Sequence, residues 1–553
     1  MDNASILRKL NLYAKLAELH QQNPFRYKAY ATAAFNLRKT RDDIQAMDDA
    51  VLSAIQGVGK GVLAAIRSMA STGSFPELDA LREQTPPGVV ELLEIKGLGP
   101  KKVLQLWKEA GIEDPGSLLD ACRENRLVQL NGFGLKTQAE LLKALEFAQG
   151  AAGQMHYARA ARIAAEWLSK LEKQWPGTHA WTGALRRASE VVSAFELLST
   201  APAASLPHLA ELLELEAFEV HDDCSVAATP YGLRLEVYHC TEATFARRQF
   251  ELTGPEAHLQ AAGYQADAIF SDEASFYRAG NWAFVPPECR ENTDCLTMAS
   301  GGFDDLLRAV DLCGVLHNHS TWSDGLNSIE EMARACIDGG YTYFGICDHS
   351  RSAGYAGGLS AERVLQQMEE IDALSTKLAP FRIFKGIESD ILGDGSLDYE
   401  ADILARFDMV VASVHSNLKM DEDKATERLI RAVENPYTTI LGHPTGRLLL
   451  IRRGYPIDHR KVIDACAANG VAIEINAHPY RLDIDWRWLD YCMEKEVMIS
   501  INPDAHEKSG IHDMQYGLLA ARKGLLRRRF CLNALSCAEF EQYLAMRKSQ
   551  RMP

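Results

Sequence analysis

The chain has no apolar run approaching the roughly 20 residues that span a bilayer. Its first residues, MDNASILRKL, lack a basic region followed by an apolar core. Neither a membrane-spanning protein nor one with a secretory leader is expected. There is also no C-x-x-C pair and no regular cysteine spacing. The 12 cysteines are scattered, which argues against a disulfide framework and reads as reduced thiols in a cytosolic protein. A strong basic excess is missing as well. The net charge is −16; residues 1–150 carry 19 Lys and Arg against 18 Asp and Glu, and the remainder 40 against 57. Any DNA binding must therefore rest largely on local backbone contacts rather than bulk charge. The acidic surplus of the later part suits a region that gathers metal cations. At 553 residues the chain is too long for one hydrophobic core, and three or four domains are expected.

What is present begins with a repeated device. Three segments read as an apolar helix, a Gly-x-Gly turn and a second helix: Leu52–Ile66 with Gly57, Gly59 and Lys60; Leu92–Leu106 with Gly97, Gly99, Lys101 and Lys102; and Leu127–Leu142 with Gly132, Gly134 and Lys136. The first glycine of each suits a tight turn with positive φ. The second lets the backbone approach a ligand closely. The free N–H groups opening the next helix suit a phosphate oxygen, and the nearby lysine adds a direct phosphate contact. A helical bundle with Gly-rich turns and no nucleic acid remains the plainer alternative.

Upstream of the hairpins lies Asn23-Pro24-Phe25-Arg26-Tyr27-Lys28-Ala29-Tyr30. With the hairpins it resembles the N-terminal region of bacterial family X DNA polymerases (PolX). In that family the first hairpin carries a lyase lysine; the matching position here is Ala65, with Arg67 two residues on. Without an amine no Schiff base forms, so deoxyribose-phosphate lyase activity is not expected. The middle of the chain resembles the family's palm: Thr182-Gly183-Ala184-Leu185-Arg186-Arg187, then Glu190 to Leu198, Thr253-Gly254, Gly280-Asn281-Trp282 and Val285-Pro286-Pro287-Glu288. The departures fall on the chemistry. The paired Asp positions are Ala194 and Glu196, the third is Glu236, and the Ser that follows the glycine is Ala184. Nucleotidyl transfer needs two Mg²⁺ ions clamped by carboxylates in near-octahedral geometry. This palm is not expected to clamp Mg²⁺, and its polymerase activity is expected to be lost or weak, with Gly183 and Arg187 kept as part of a scaffold.

From about residue 312 onward short apolar runs alternate with helical stretches. The runs are Gly314–Leu316, Tyr343–Cys347, Arg382–Ile387, Met409–Val414, Thr439–Leu441, Val471–Ile475 and Val497–Ile501. Strand–helix alternation argues for a parallel α/β barrel. Histidines and carboxylates follow nearly every run: His317, His319 and Asp324; His349; Glu388; His415; His443; Glu474 and Asn476; Asp504 and His506. In a parallel barrel the strand C-termini share one face, where active sites sit. Imidazole and carboxylate without thiolate allow Zn²⁺, Mn²⁺ or Fe²⁺. Arg351, Lys419, Arg447 and Arg481 follow strand ends and could grip phosphate.

This region closely resembles the polymerase and histidinol phosphatase (PHP) domain. The resemblance implies that His317, His319, Glu388 and Asp504 hold one metal and form the catalytic set, that Glu388 bridges to a second held with His415 and His443, and that Asp324, His349 and His506 hold a third. Two to three divalent metals follow. The expected architecture is multidomain: an all-α helix-hairpin-helix region (1–85 with the first hairpin, 86–150 with two more), a degenerate α+β nucleotidyltransferase-like palm and thumb (151–290), a linker (291–311) and a distorted (βα)₇ PHP barrel (312–553). The resemblance implies a bacterial, cytoplasmic, nucleoid-associated DNA-repair phosphoesterase. Its 3′→5′ exonuclease or 3′-end-processing activity would act on gapped or 3′-ended duplex without sequence preference. Two alternatives stay open: an active gap-filling polymerase with a PHP nuclease, and a PHP phosphatase or DNA-binding scaffold.

Overall fold

Helical spacing of apolar residues organises the first compact unit, Met1–Ala152. The computed structural model describes the chain outside residues 41, 96, 116, 119–120, 122–126, 128–129, 131, 135, 142–143, 145–152, 178, 222–223, 419, 451–452 and 552–553. Helix Asn3–Leu19 buries Ile6, Leu10, Tyr13 and Leu16, and its free N–H groups begin at a cap formed by the Asp2 side chain. Helix Pro24–Leu37 starts with proline at a position that needs no N–H donor.

The three Gly-x-Gly turns are structurally alike. The N–H groups of Val58, Leu98 and Phe133 donate to the carbonyls of Ile55, Ile95 and Leu130 at 3.0, 3.1 and 3.1 Å. Those of Leu63, Val103 and Gln138 donate to Gly59, Gly99 and Gly134, each at 3.0 Å. The leading glycines have φ of +96°, +94° and +81°, a region that glycine enters without steric penalty. Val58, Leu98 and Phe133 are buried, so each turn is fastened to the core by its middle residue.

The second unit is Gly153–Pro553. A short antiparallel pair joins β1 (Met155–His156) to β3 (Val191–Val192). A five-stranded sheet is built from β2 (His179–Trp181), β4 (Ala194–Ser199), β5 (Glu219–Val220), β6 (Cys224–Ala228) and β7 (Arg234–His239), in the order β2-β4-β7-β6-β5. Only β4 and β7 run parallel, placing Glu196 opposite Glu236. Helix Tyr157–Gln174 packs Trp167 and Leu171 against Phe195, Leu197 and Leu235. The stretch read from sequence as a linker is packed: helix Cys295–Gly301 buries Cys295 and Ala299, and Leu306 and Leu307 are buried in two different hydrophobic clusters.

Seven parallel strands follow: β8 (Gly314–Val315), β9 (Tyr343–Ile346), β10 (Arg382–Asp390), β11 (Met409–Ser413), β12 (Ile440–Leu441), β13 (Ala472–Asn476) and β14 (Ile499–Asn502), paired in sequence order. Side chains alternate between faces along a strand. Phe384, Met409, Val411, Ile440 and Ala472 share a cluster with Leu532, Phe540 and Leu544 of the C-terminal segment. Ile383, Val410, Ala412, Leu441 and Ile473 face the covering helices instead. Farther along the first of these faces, toward the strand C-termini, come Glu388 and Glu474. The same face thus turns from apolar to carboxylate-bearing at the end where the site lies. Asn533 ties the two edge strands together: its amide donates to the carbonyls of Gly314 and Ile501 at 3.0 and 2.8 Å and accepts from the Ile501 N–H at 2.7 Å. At the other end Asn318 bridges Ala505. The barrel is nearly closed.

Candidate metal centre

Glu388 is fully buried, and its two oxygens divide five imidazoles between them. Oε1 lies 3.0 Å from His443 Nε2, 3.1 Å from His415 Nε2 and 3.4 Å from His317 Nε2. Oε2 lies 2.9 Å from His349 Nδ1 and 3.6 Å from His319 Nε2. His317 and His319 face the site together because they are two residues apart on an extended segment; Asn318 between them turns away and donates to the Gly345 carbonyl at 3.1 Å. His349 is aligned with Glu388 by a parallel bridge.

Asp504 closes one side. Its Oδ1 is 3.0 Å from His319 Nε2 and 3.7 Å from His317 Nε2, and its Oδ2 accepts from Asn476 at 3.0 Å. On the outer side Asp324 lies 3.4 Å from His506 and 3.6 Å from His349, while the His506 ring stacks on His319 at 4.1 Å. Among the described residues three groups could each hold a metal ion: His317, His319 and Asp504; His349, Glu388 and His415; and His319, Asp324, His349 and His506. His443 stands beside the second group rather than within it. His443 and Asp504 both have positive φ, 21° and 52°, the kind of backbone strain that clusters at functional sites.

The donor set fits divalent cations. His317 Nε2, His319 Nδ1 and Glu388 Oε2 are buried and make no hydrogen bond, an arrangement that is costly without a cation partner. Burial alone would raise the Glu388 carboxyl, yet His415, His317 and His349 hold it well below the usual range. Burial would lower His349 and His415, yet the Glu388 carboxylate overrides it and raises them to about 10 and about 9. His319 goes the other way: burial and its neighbours His506 and His349 lower it to about 3.

Behind these residues is a supporting layer, of which the sequence placed Glu474 and Asn476 at a strand end without revealing their role. Glu474 accepts from Asn502 at 2.9 Å, lies 2.7 Å from His317 Nδ1, and accepts from the His443 N–H at 3.1 Å and from Asn476 at 3.2 Å. Asp390 holds His415 Nδ1 at 2.6 Å and accepts from Ser352 at 2.6 Å. Asp348 accepts from Ser320, Ser323 and Gln367 and knits the loop after β8 to the one after β9. Carboxylates behind ligand histidines fix the tautomer and ring orientation.

The cations expected to grip phosphate fare unequally. Arg481 reaches the centre, its Nε 4.0 Å from Asp504 Oδ2. Arg447 does not: its donors are spent on the carbonyls of Arg481 and Leu482 and on Asp485, so it braces the loop that carries Arg481. Arg351 is tied to Asp398 but remains largely exposed. Lys419 lies outside the described residues.

In the helical unit the candidate DNA-binding residues lie at the turns. Lys60, Lys101 and Lys136 are exposed, and Lys102 is half-buried with its ammonium 5.5 Å from the Phe133 ring. Helices Lys60–Thr72 and Pro100–Ala110 open at Gly59 and Gly99 with no side-chain cap, leaving N–H groups available. Ala65 is buried in the core, and Arg67 is engaged by Asp49 and the Gln45 carbonyl. In the five-stranded sheet, the Ala184 N–H donates to Glu196 at 3.2 Å, and burial raises the Glu196 carboxyl. A Cβ on Gly183 would lie 1.6 Å from that carboxylate. Glu236 is paired with Arg234 at 2.5 Å and accepts from Tyr238 at 2.8 Å. Ala194 is buried and offers no ligand. Arg187 is bound to Glu291 at 2.9 Å and to the Thr253 carbonyl at 2.8 Å.

Three family models match the chain: a helix-hairpin-helix domain over residues 1–75, a SAM-like helix-hairpin-helix tandem over 89–146 and a PHP domain over 316–478. A protein named DNA polymerase/3′-5′ exonuclease PolX, from Bacillus subtilis (strain 168), is 36% identical over 572 residues, covering 98% of this chain and 99% of that protein. Proteins named probable phosphatase match only part of the chain. One from Acetivibrio thermocellus is 28% identical over 214 residues, 37% of this chain and 84% of its own length. One from Caldicellulosiruptor saccharolyticus is 28% identical over 197 residues, 34% and 76%.

Proposed function

The chain belongs to the bacterial PolX family, and on that footing we propose that its barrel hydrolyses phosphodiester bonds at the 3′ ends of DNA held by the helix-hairpin-helix unit. The observation that carries this reading is the division of five imidazoles between the two oxygens of Glu388, the disposition of a bridging carboxylate. His317, His319, Glu388 and Asp504 would hold one metal; Glu388, His415 and His443 a second; Asp324, His349 and His506 a third. Bound there, divalent metals supply Lewis acidity toward phosphoryl oxygens and a water nucleophile at neutral pH. The protein's own part is orientation. Glu474 and Asp390 set the imidazole tautomers, and Arg481 offers charge to a phosphate beside Asp504. The Gly-x-Gly turns would grip the duplex backbone without reading sequence. The N/O donor set suits Mn²⁺, Zn²⁺ or Fe²⁺.

The test uses a 5′-labelled gapped duplex with Mn²⁺, with and without nucleotides, on wild type, Glu388→Gln and His319→Ala. Shortening from the 3′ end in wild type, lost in both variants, is the expected result. Hydrolysis of small phosphomonoesters without binding of gapped duplex at low salt would instead make the barrel a phosphatase, as the names of the partial relatives suggest.

A second reading, in which the chain also fills gaps, is favoured by the Bacillus subtilis relative, whose name carries both activities and whose likeness spans 98% of this chain. Against it stand Ala194 and the engagement of Glu236 by Arg234 and Tyr238. Primer extension that disappears in Glu236→Gln would establish it.

A further inference from the structure

The loop after β13 places an aromatic ring one residue from the arginine at the metal centre. Tyr480 is 40% exposed. One face of its ring stacks on His156 of β1 at 4.0 Å and 27°, and His478 meets it edge-on at 5.3 Å and 81°. Hydrogen bonds pin the arrangement on several sides. The Leu449 N–H donates to the Tyr480 carbonyl at 2.7 Å, and the Leu449 carbonyl lies 2.9 Å from His156 Nε2. The Arg481 N–H closes a turn onto the His478 carbonyl at 2.8 Å. Arg447 braces the Arg481 carbonyl at 2.8 Å. Arg481 itself points to Asp504.

A phosphomonoesterase for small substrates needs the cations but no stacking surface. An enzyme that takes nucleotides from a strand end gains from a flat aromatic ring close to the phosphate, because every base has a π-face and stacking tolerates any sequence. Tyr is well suited: a large ring with few rotatable bonds, held here by a neighbour from a different part of the unit.

We infer that Tyr480, backed by His156, is the shelf on which the 3′-terminal nucleobase stacks while Arg481 meets its phosphate, so that the substrate is a nucleic-acid end rather than a small phosphate ester. The inference rests on the phosphodiesterase reading of the barrel. It also assigns β1 a second use: a residue outside the barrel supports the substrate-binding surface of the barrel site.

The test has two readouts on the full chain. The first is binding of an oligonucleotide with 2-aminopurine at its 3′ terminus, joined by a hydrolysis-resistant phosphorothioate. Stacking on Tyr480 quenches the fluorescence in wild type and in Tyr480→Phe, and Tyr480→Ala loses the quench. The second is hydrolysis. In Tyr480→Ala, KM for a 3′-ended oligonucleotide rises by about 5- to 100-fold, a loss at least several-fold greater than for bis-p-nitrophenyl phosphate, and Tyr480→Phe restores it. Equal losses on both substrates, with the quench retained, would mean that Tyr480 only clamps the loop, and the shelf is overturned while the nuclease reading stands. A wild type that hydrolyses the small ester but neither binds nor shortens the oligonucleotide overturns both.

Discussion

His317 Nδ1 and Glu474 Oε2 lie 2.7 Å apart, both fully buried, and the same carboxylate also accepts from Asn502, Asn476 and the His443 N–H. One side chain therefore orients ligands that follow β8 and β12. In Glu474→Gln the amide retains the shape but presents a donor where acceptors are needed. Metal affinity is expected to fall by about 10- to 100-fold, read by metal content after dialysis against graded chelator. Unchanged metal content would reduce Glu474 to a packing role.

Removing the metals should destabilise the barrel, because His317 Nε2, His319 Nδ1 and Glu388 Oε2 are then buried without a hydrogen-bond partner. Ligand binding to the native state alone contributes about 4 kcal/mol at a thousandfold excess over Kd. Chelation is expected to lower the thermal midpoint of the full chain by several degrees, and Mn²⁺ or Zn²⁺ to restore it. Calcium, which prefers six to eight oxygen ligands, should restore it less. A midpoint indifferent to chelator would argue that these histidines are structural.

Much of this centre is legible in the sequence because barrel geometry converts chain order into space. Most strand-like runs are followed within three residues by a histidine or carboxylate, so His317, Glu388, His415 and Asp504 could be gathered on one rim before any coordinates. The role of the supporting layer is not legible in that way. Glu474 and Asp390 are acids near strand ends like many others, and only tertiary distances show them bonded to His317 and His415. Arg447 reads like Arg481 along the chain, yet one braces the loop and the other reaches Asp504. Barrel closure depends on Asn533, 219 residues after Gly314, and no periodicity announces it. The burial of Leu306 and Leu307 is not announced either, because the spacing around them is too irregular to signal it.

Gly57 and Gly97 occupy equivalent turns with nearly equal φ, but their surroundings differ. A Cβ at Gly57 would lie 2.5 Å from the Ala33 backbone nitrogen, whereas nothing lies within 4 Å of one at Gly97. Gly97→Ala is expected to cost about 1–3 kcal/mol from backbone strain alone. Gly57→Ala adds a clash with backbone that cannot yield and should cost clearly more. Denaturant melts of the two variants check the order; equal costs would mean helix Pro24–Leu37 shifts freely.

Lys60, Lys101 and Lys136 are exposed beside the Gly-x-Gly turns. Replacing each with Ala should weaken duplex binding to a similar degree for unrelated sequences. For every phosphate left without its lysine, the slope of log K against log salt should also become shallower by about one. A variant that alters sequence preference, or leaves the salt slope intact, would exclude that lysine from binding the phosphate backbone.

Acid should unfold the second unit in two overlapping stages. His258, bonded to Tyr277 at 2.7 Å, is lowered by burial from an ordinary 6.5 to about 4. The unfolded chain takes up this proton first, so the stability that His258 confers is complete above 6.5 and is lost as pH falls toward 4. Glu273 sits between Arg186 and Arg290 at 2.6 and 2.9 Å. Burial would raise its carboxyl, but the two guanidinium groups bring it from 4.5 down to about 2. Glu291 behaves alike, with Lys523 the chief cation opposing its burial. These carboxylates stabilise the fold fully above 4.5, and that contribution is lost as pH falls from 4.5 toward 2. Glu273→Gln leaves Arg290 buried without its counter-charge and should cost about 3–5 kcal/mol at neutral pH. The variant should also show a shallower decline below pH 4.5 while keeping the decline between 6.5 and 4. Urea midpoints measured across pH separate the two stages. A variant whose low-pH slope matches wild type would show that Glu273 is not a principal source of it.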